Sequence, residues 1–214
     1  MKQIQTVARP RTKPAEVRRE ELMDAAQKLF LEKGFAATSV DEIVRDADVA
    51  KGTFYLHFKS KDDILAALQQ RFIVLFLEYI DAAVHALPPD DHAGRLLAWS
   101  ASAVNGYIDR YRLHDLVFHN IMHFNRRMKR ANRAIANLQA LLEAGVAAGA
   151  WTLANPRVTA VMLFSAMHGA VDDALGENDT PDRALLVEEV GNLFAAATGV
   201  AAAVPSRGTE ELCR

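Results

Sequence analysis

Three groups of side chains in this chain of 214 residues have types and spacings that could do chemistry. The first is LHDLVFHNIMHF, in which Asp115, His119 and His123 recur every four residues. On a helix they share one face, and carboxylate with imidazole at that spacing is the beginning of a divalent-metal site. Asn120 follows His119, so the glutamate that would act as general base in an HExxH pattern is missing, and His114 points elsewhere on the helix. No third or fourth ligand is identifiable, so the expectation is a polar pocket wall or solvated face, with no metal, no cofactor and no catalytic residue. His168 and Asp172, also four apart, make a similarly weak pair. The second group is apolar. Phe72, Phe76, Trp99, Tyr107 and Tyr111, followed by Phe118, Met122, Trp151, Phe164 and Met167, are bulky enough to line a cavity for a small apolar or amphipathic molecule. His119, His123 and His168 would be its polar contacts, although packing alone accounts for many such stripes.

The third group lies in KGTFYLHFKSK, residues 51–61. Phe54 and Phe58, four apart, supply an apolar anchor for one short helix. The opposite side presents Lys51, Thr53, Tyr55 and His57, and Gly52 between them leaves room for another backbone to come close. Lys59 and Lys61 follow. Such donors suit phosphate oxygens and base edges, and Thr38 and Ser39 at the start of the preceding helix could turn hydroxyls and N–H groups toward a further phosphate.

Helices must position all three groups, because apolar residues recur at helical spacing almost throughout and no alternating strand pattern appears. The fold expected is all-α. A first helix over about 18–33 carries Leu22, Ala25, Ala26, Leu29 and Phe30 on one face; Gly34 closes it in the left-handed conformation, and Phe35 folds back. Thr38 with Asp41, or Ser39 with Glu42, forms a capping box for a short second helix. A turn at Asp48-Val49 leads to a third over about 51–57, and Ser60 with Asp63 caps a long fourth that LPPDD stops at 87–91. Further helices are expected over about 92–110, 113–123 and 127–148, with Gly149 as a stop. Asn155-Pro156 and Thr180-Pro181 each place a capping side chain before proline, opening helices over about 157–175 and 182–198.

The stretch TSVDEIVRDADVAKGTFYLHFKSKDDIL, residues 38–65, resembles the TetR family of one-component bacterial regulators, and the match is dense over residues 18–65. The resemblance implies a three-helix, N-terminal helix-turn-helix DNA-binding domain followed by a larger helical ligand-binding and dimerisation domain. It divides the chain into a basic arm (1–17), the helix-turn-helix (18–62), the effector and dimer domain (63–199) and a disordered tail (200–214). Lys51 and Thr53 become base contacts, with Tyr55, His57, Lys59 and Lys61 nearer phosphates. The implied protein is a homodimer through its last two helices that reads double-stranded palindromic operator DNA and is released by a small effector. A constitutive DNA binder without effector and, more distantly, an α-helical metal-dependent enzyme are the alternatives. Two positions depart from the family's pattern: Asp48 stands where glycine is common in the turn, and Ala50 stands where a capping serine is common.

Charge distribution agrees with that division. Residues 1–61 hold 12 Lys/Arg against 9 Asp/Glu, whereas the remainder holds 13 against 18. Arg126, Arg127, Lys129, Arg130 and Arg133 form a second basic cluster, read as a solvated helix start. No uncharged apolar run approaches bilayer length, the start has no signal-peptide h-region, and the lone Cys213 has no intrachain partner. The expectation is a cytoplasmic protein that does not engage the membrane.

Overall fold

The computed structural model describes residues 14–119, 132–177 and 180–200. Most of the expected basic arm, Met122, His123, most of the second basic cluster and the tail from residue 201 lie outside the described residues, as do the side chains of His119 and Glu177. Among the described residues the structure is entirely helical: α1 (Ala15–Lys33), α2 (Val40–Asp46), α3 (Lys51–His57), α4 (Lys61–His85), α5 (His92–His119), α6 (Arg133–Ala147), α7 (Pro156–Glu177) and α8 (Arg183–Thr198).

Local chemistry sets most of the boundaries. Gly34 closes α1 with φ 90° and ψ 155°, a positive-φ conformation beyond the left-handed helical well that glycine alone adopts without strain. Of the two capping boxes open at α2, the structure forms Ser39 with Glu42: the serine side chain accepts from the Glu42 N–H at 3.3 Å, and Glu42 Oε2 accepts from the Ser39 N–H at 2.8 Å. Asp48 takes φ 51°, the left-handed turn conformation for which glycine is better suited. Ala50 begins α3 without a side-chain cap. Ser60 accepts from the Asp63 N–H at 3.2 Å, but the Asp63 carboxylate reaches the Lys59 N–H at 2.9 Å, so the reciprocal bond falls one residue earlier than a capping box requires.

Two expectations need correction. The helices expected at 92–110 and 113–123 are one helix, α5, deflected at Arg110 (φ −127°, ψ 16°); the break was read at the right place, but with no proline or glycine there the chain bends and continues. The cap of α8 is Asp182, whose carboxylate accepts from the Leu185 N–H at 3.0 Å, and not Thr180, because Pro181 stands outside the first turn. Asn155 does cap α7 ahead of Pro156, accepting from the Val158 N–H at 3.0 Å.

The chain divides into two compact units. The first comprises the described residues up to Gln70 together with α5 from Asp115 onward. Its core is Leu22, Met23, Ala26 and Phe30 of α1, Ile43 of α2, Phe54 and Phe58 around α3, and Ile64 and Leu68 of α4. Gln69 Nε2 donates to the Val117 carbonyl at 3.2 Å within this unit. The second unit holds Arg71–His114 and α6 to α8. There Trp99 stacks on Phe194 with ring centroids 5.9 Å apart, and its indole N–H donates to Asn137 Oδ1 at 2.7 Å, while Asn137 donates to Asp81 at 2.9 Å. α4, α5, α6 and α8 are thereby tied by one aromatic pair and one amide. Over Pro156–Gly176, α7 has a mean hydropathy of 1.2, long and apolar enough by composition to cross a membrane, yet only 22% of that window is buried. Apolar residues of α7 such as Val158, Val161 and Met162 therefore stand open in the single chain.

Candidate functional site

Residues 51–57 form the short helix α3, which is anchored from below. Phe54 is fully buried and Phe58 is 2% exposed, their ring centroids 5.8 Å apart, and the Arg19 guanidinium of α1 lies 5.2 Å over the Phe58 ring. With that side fixed, Lys51, Gly52, Tyr55 and Lys59 face outward, and Thr53 and His57 are half-buried at the flanks. Tyr55 is 55% exposed and packs edge-on against Phe54. Nothing lies within 4 Å of where a Gly52 side chain would begin, so packing within the chain does not require glycine there.

Leu56, not among the residues singled out in the sequence, is 83% exposed, more than any other large hydrophobic residue described. It lies four residues after Gly52 on the same open face, and that spacing was the signal available in the sequence. An apolar side chain held in water beside polar donors is suited to the methyl group of a thymine.

Three residues expected to meet phosphate are committed elsewhere. Thr38 is 2% exposed, and its hydroxyl donates to the Gly34 carbonyl at 2.9 Å and the Leu29 carbonyl at 3.4 Å, closing the end of α1. The hydroxyl of Ser39 donates to Glu42 Oε2 at 2.8 Å, and its N–H points to the same oxygen, so the anion at the start of α2 is the chain's own. Lys33 pairs with that carboxylate; with Ser39 it holds Glu42 well below the ordinary range, at about 2. Lys61 turns inward, donating to the carbonyls of Phe35 at 2.6 Å, Thr38 at 2.7 Å and Ala36 at 3.3 Å, with its ammonium 4.5 Å from the Phe35 ring centroid. The three carbonyls lie in the α1–α2 connection, which a charged donor reaches more easily than a distant phosphate. Lys51 meets Asp41 at 2.7 Å, a contact that raises its pKa, but both side chains remain largely in solvent.

In the second unit part of the expected cavity lining comes together. Phe72 stacks on Phe76 with centroids 5.8 Å apart, Phe72 approaches His114 at 5.8 Å, and Phe164 approaches His168 at 5.7 Å. Tyr107 lies 4.4 Å from His114 and 4.8 Å from His168 by ring centroids. Met167 is buried and Tyr111 is half-buried; Trp99 belongs to the Phe194 and Asn137 core instead, and Phe118 belongs to the first unit. Trp151 packs on Gly145, where a Cβ would come within 2.0 Å of its ring. His114, set aside from the sequence, is 8% exposed at the centre of this cluster. Its seven-residue separation from Tyr107 on α5 was the legible sign. A surface cleft of about 340 Å³ between α4 and α6 is lined by Val74, Leu77, Glu78, Asp81, Arg133, Ala136 and Asn137, none of them among the expected lining. Among the described residues no three His, Cys, Asp or Glu side chains converge as a metal-ligand set.

Comparison with known proteins separates the two units. Residues 22–68 match the family described as bacterial regulatory proteins, tetR family. The transposon Tn10 TetC protein of Escherichia coli is 43% identical over 61 residues, 28% of this chain and 31% of that protein. The fatty acid metabolism regulator protein of Bacillus subtilis is 38% identical over 61 residues, again 28% and 31% of the two chains. The chain thus spans about a third or less of the length of the curated relatives it matches. In fold the likeness is longer: the transcriptional regulator FadR from Bacillus subtilis, solved with stearoyl-CoA, superposes with a TM-score of 0.69 at 21% identity, covering 83% of this chain and 98% of that one.

Proposed function

We propose, from the premise that this chain is a member of the TetR family by its N-terminal helix-turn-helix, that it is a transcriptional regulator binding a palindromic DNA operator as a homodimer. The observation that carries the reading is the open face of α3: Lys51, Gly52, Tyr55 and Leu56 are exposed together above two buried phenylalanines, inside the segment that matches the family. Lys51 and Thr53 would read base edges, Leu56 a thymine methyl, and Tyr55, His57 and Lys59 would hold phosphates. Lys61, Thr38 and Ser39 would act by shaping the module that presents them.

The dimer reading is supported by what α7 and α8 leave uncovered. Val158, Val161 and Met162 on α7, and Leu185 and Leu193 on α8, are exposed, Met162 to 58%. Small residues Ala166 and Gly169 share the exposed side of α7, allowing a second copy to pack closely. A two-fold pair would place two recognition helices on successive half-sites, which is how short helices obtain useful affinity.

The second unit would take a small apolar or amphipathic effector against the Phe72, Phe76 and Phe164 cluster and so shift the dimer between geometries that fit DNA well and poorly. Because relatives in sequence and fold include a fatty acid metabolism regulator and a regulator solved with stearoyl-CoA, acyl-bearing molecules are the first class to screen. The protein would work in the cytoplasm and catalyse no reaction.

Selection of duplexes from random sequence, at salt from about 50 to 200 mM with a nonspecific duplex alongside, tests the proposal. A palindrome that persists at the higher salt is the expected product, and Lys51→Ala with Tyr55→Ala should abolish its selection without unfolding the chain. Binding that fades equally for every sequence would refute it.

A further inference from the structure

Within the second unit α5 and α7 bring two imidazoles nose to nose. His114 Nε2 and His168 Nε2 are 3.3 Å apart. Two nitrogen lone pairs do not face each other at that distance unless a positive centre lies between them, either a proton or a metal ion. The orientation of His168 is fixed from behind: its Nδ1 lies 2.9 Å from Asp172 Oδ2, and the other oxygen of that carboxylate accepts from the Tyr107 hydroxyl. The Nδ1 proton therefore belongs to the Asp172 contact, and the Nε2 lone pair is presented toward His114.

The separation has a second reading. Nitrogens bound to a tetrahedral ion at about 2.0–2.1 Å stand about 3.3 Å apart, which is the distance found. A carboxylate on the far nitrogen of a ligating histidine is the usual outer partner, fixing ring orientation and raising basicity. Phe72, Phe164 and Tyr107 surround the rings and limit their rotation. The His168 side chain keeps 29% of its surface open, so water can complete the coordination.

We propose that His114 and His168 form a binding site, through their Nε2 atoms, for a borderline divalent ion of the Zn²⁺, Co²⁺ or Ni²⁺ class, with Asp172 as the positioning residue behind His168. It is a different site from the Asp115, His119 and His123 face read in the sequence. With two protein ligands it binds less tightly than a four-ligand structural centre. It does not depend on the DNA-binding or effector proposals.

The test uses the untagged full chain carrying Cys213→Ser, treated with chelator and dialysed. Co²⁺ titration is followed by its visible absorption and Zn²⁺ titration by calorimetry. One ion per chain is expected, lost in His114→Gln and in His168→Gln and weakened about 10- to 100-fold in Asp172→Asn. Zn²⁺ should also raise the melting temperature of the parent and leave that of His168→Gln unchanged. His168 is partly exposed, so its substitution is compatible with folding and the comparison is decisive. No uptake by the parent would mean that a proton alone joins the imidazoles; that result, or uptake unchanged in His168→Gln, would overturn the proposal.

Discussion

Replacing Lys61 by methionine distinguishes a clasp from a phosphate contact, because the substitution keeps the apolar stem and removes the charged donor. In the structure the ammonium has two short bonds, to the carbonyls of Phe35 at 2.6 Å and Thr38 at 2.7 Å, and a longer one to Ala36 at 3.3 Å, and it lies against the Phe35 ring. A charge-assisted hydrogen bond contributes about 1.5–3 kcal/mol when buried. Water reaches this half-buried group and would re-solvate the released carbonyls, so about 1 kcal/mol for each short bond is the appropriate end. The ring contact adds about 0.5–1 kcal/mol. The module should lose about 2.5–3 kcal/mol, which at about 1.4 kcal/mol per tenfold makes its open state about 60- to 140-fold more populated. Amide exchange of peptides spanning residues 22–65 reads that change directly. Trp99 and Trp151 both belong to the second unit, so tryptophan fluorescence should report its unfolding unaltered. Unchanged exchange, together with a salt dependence of DNA binding reduced by about one phosphate contact, would refute the clasp and restore the phosphate reading.

Other outcomes follow from single residues. Gly52→Ala meets open space and should stabilise α3 by about 1 kcal/mol while abolishing operator binding, measured by thermal melting and by duplex binding; retained binding would mean that no backbone approaches there. Gly145→Ala puts a methyl 2.0 Å from the Trp151 ring, so the indole must leave its bond to the Leu142 carbonyl; a loss of about 1–3 kcal/mol and a red-shifted emission are expected, and an unshifted spectrum would contradict that packing. Glu42 falls from 4.5 to about 2 through Lys33 first and Ser39 second, so its contribution is fully present above about 4.5 and disappears as the pH falls toward about 2. Glu42→Gln should therefore flatten acid unfolding of the first unit in that window, and an identical acid profile would count against the Lys33–Glu42 link. Met162→Glu with Leu193→Glu should leave monomers in sedimentation, and an undisturbed dimer would place the interface elsewhere.

Local signals made most of the helical layout legible. Phe54 and Phe58 four apart, proline after Asn155, and serine three residues before Glu42 each act within one or two turns, where spacing alone decides the geometry. The same locality made the buried side of α3 readable from Phe54 and Phe58, whereas Leu56 on its open side was missed because an apolar residue there looks like core. Reading failed where local rules offered equal choices. Arg110 marked a break but not whether the helix would end or bend, and Asp182 displaced Thr180 as the cap of α8.

Sequence by itself determined the all-helical class, the helix-turn-helix and the buried anchor of α3, because these depend on periodicity and capping chemistry carried by neighbouring residues. Only the tertiary structure decided where the long side chains go. Lys61 reaches back 26 residues to the Phe35 carbonyl, and His114 meets His168 across 54. Such contacts depend on how helices pack: a lysine that spacing turns outward meets backbone carbonyls, and one imidazole meets another, only where packing brings them within reach.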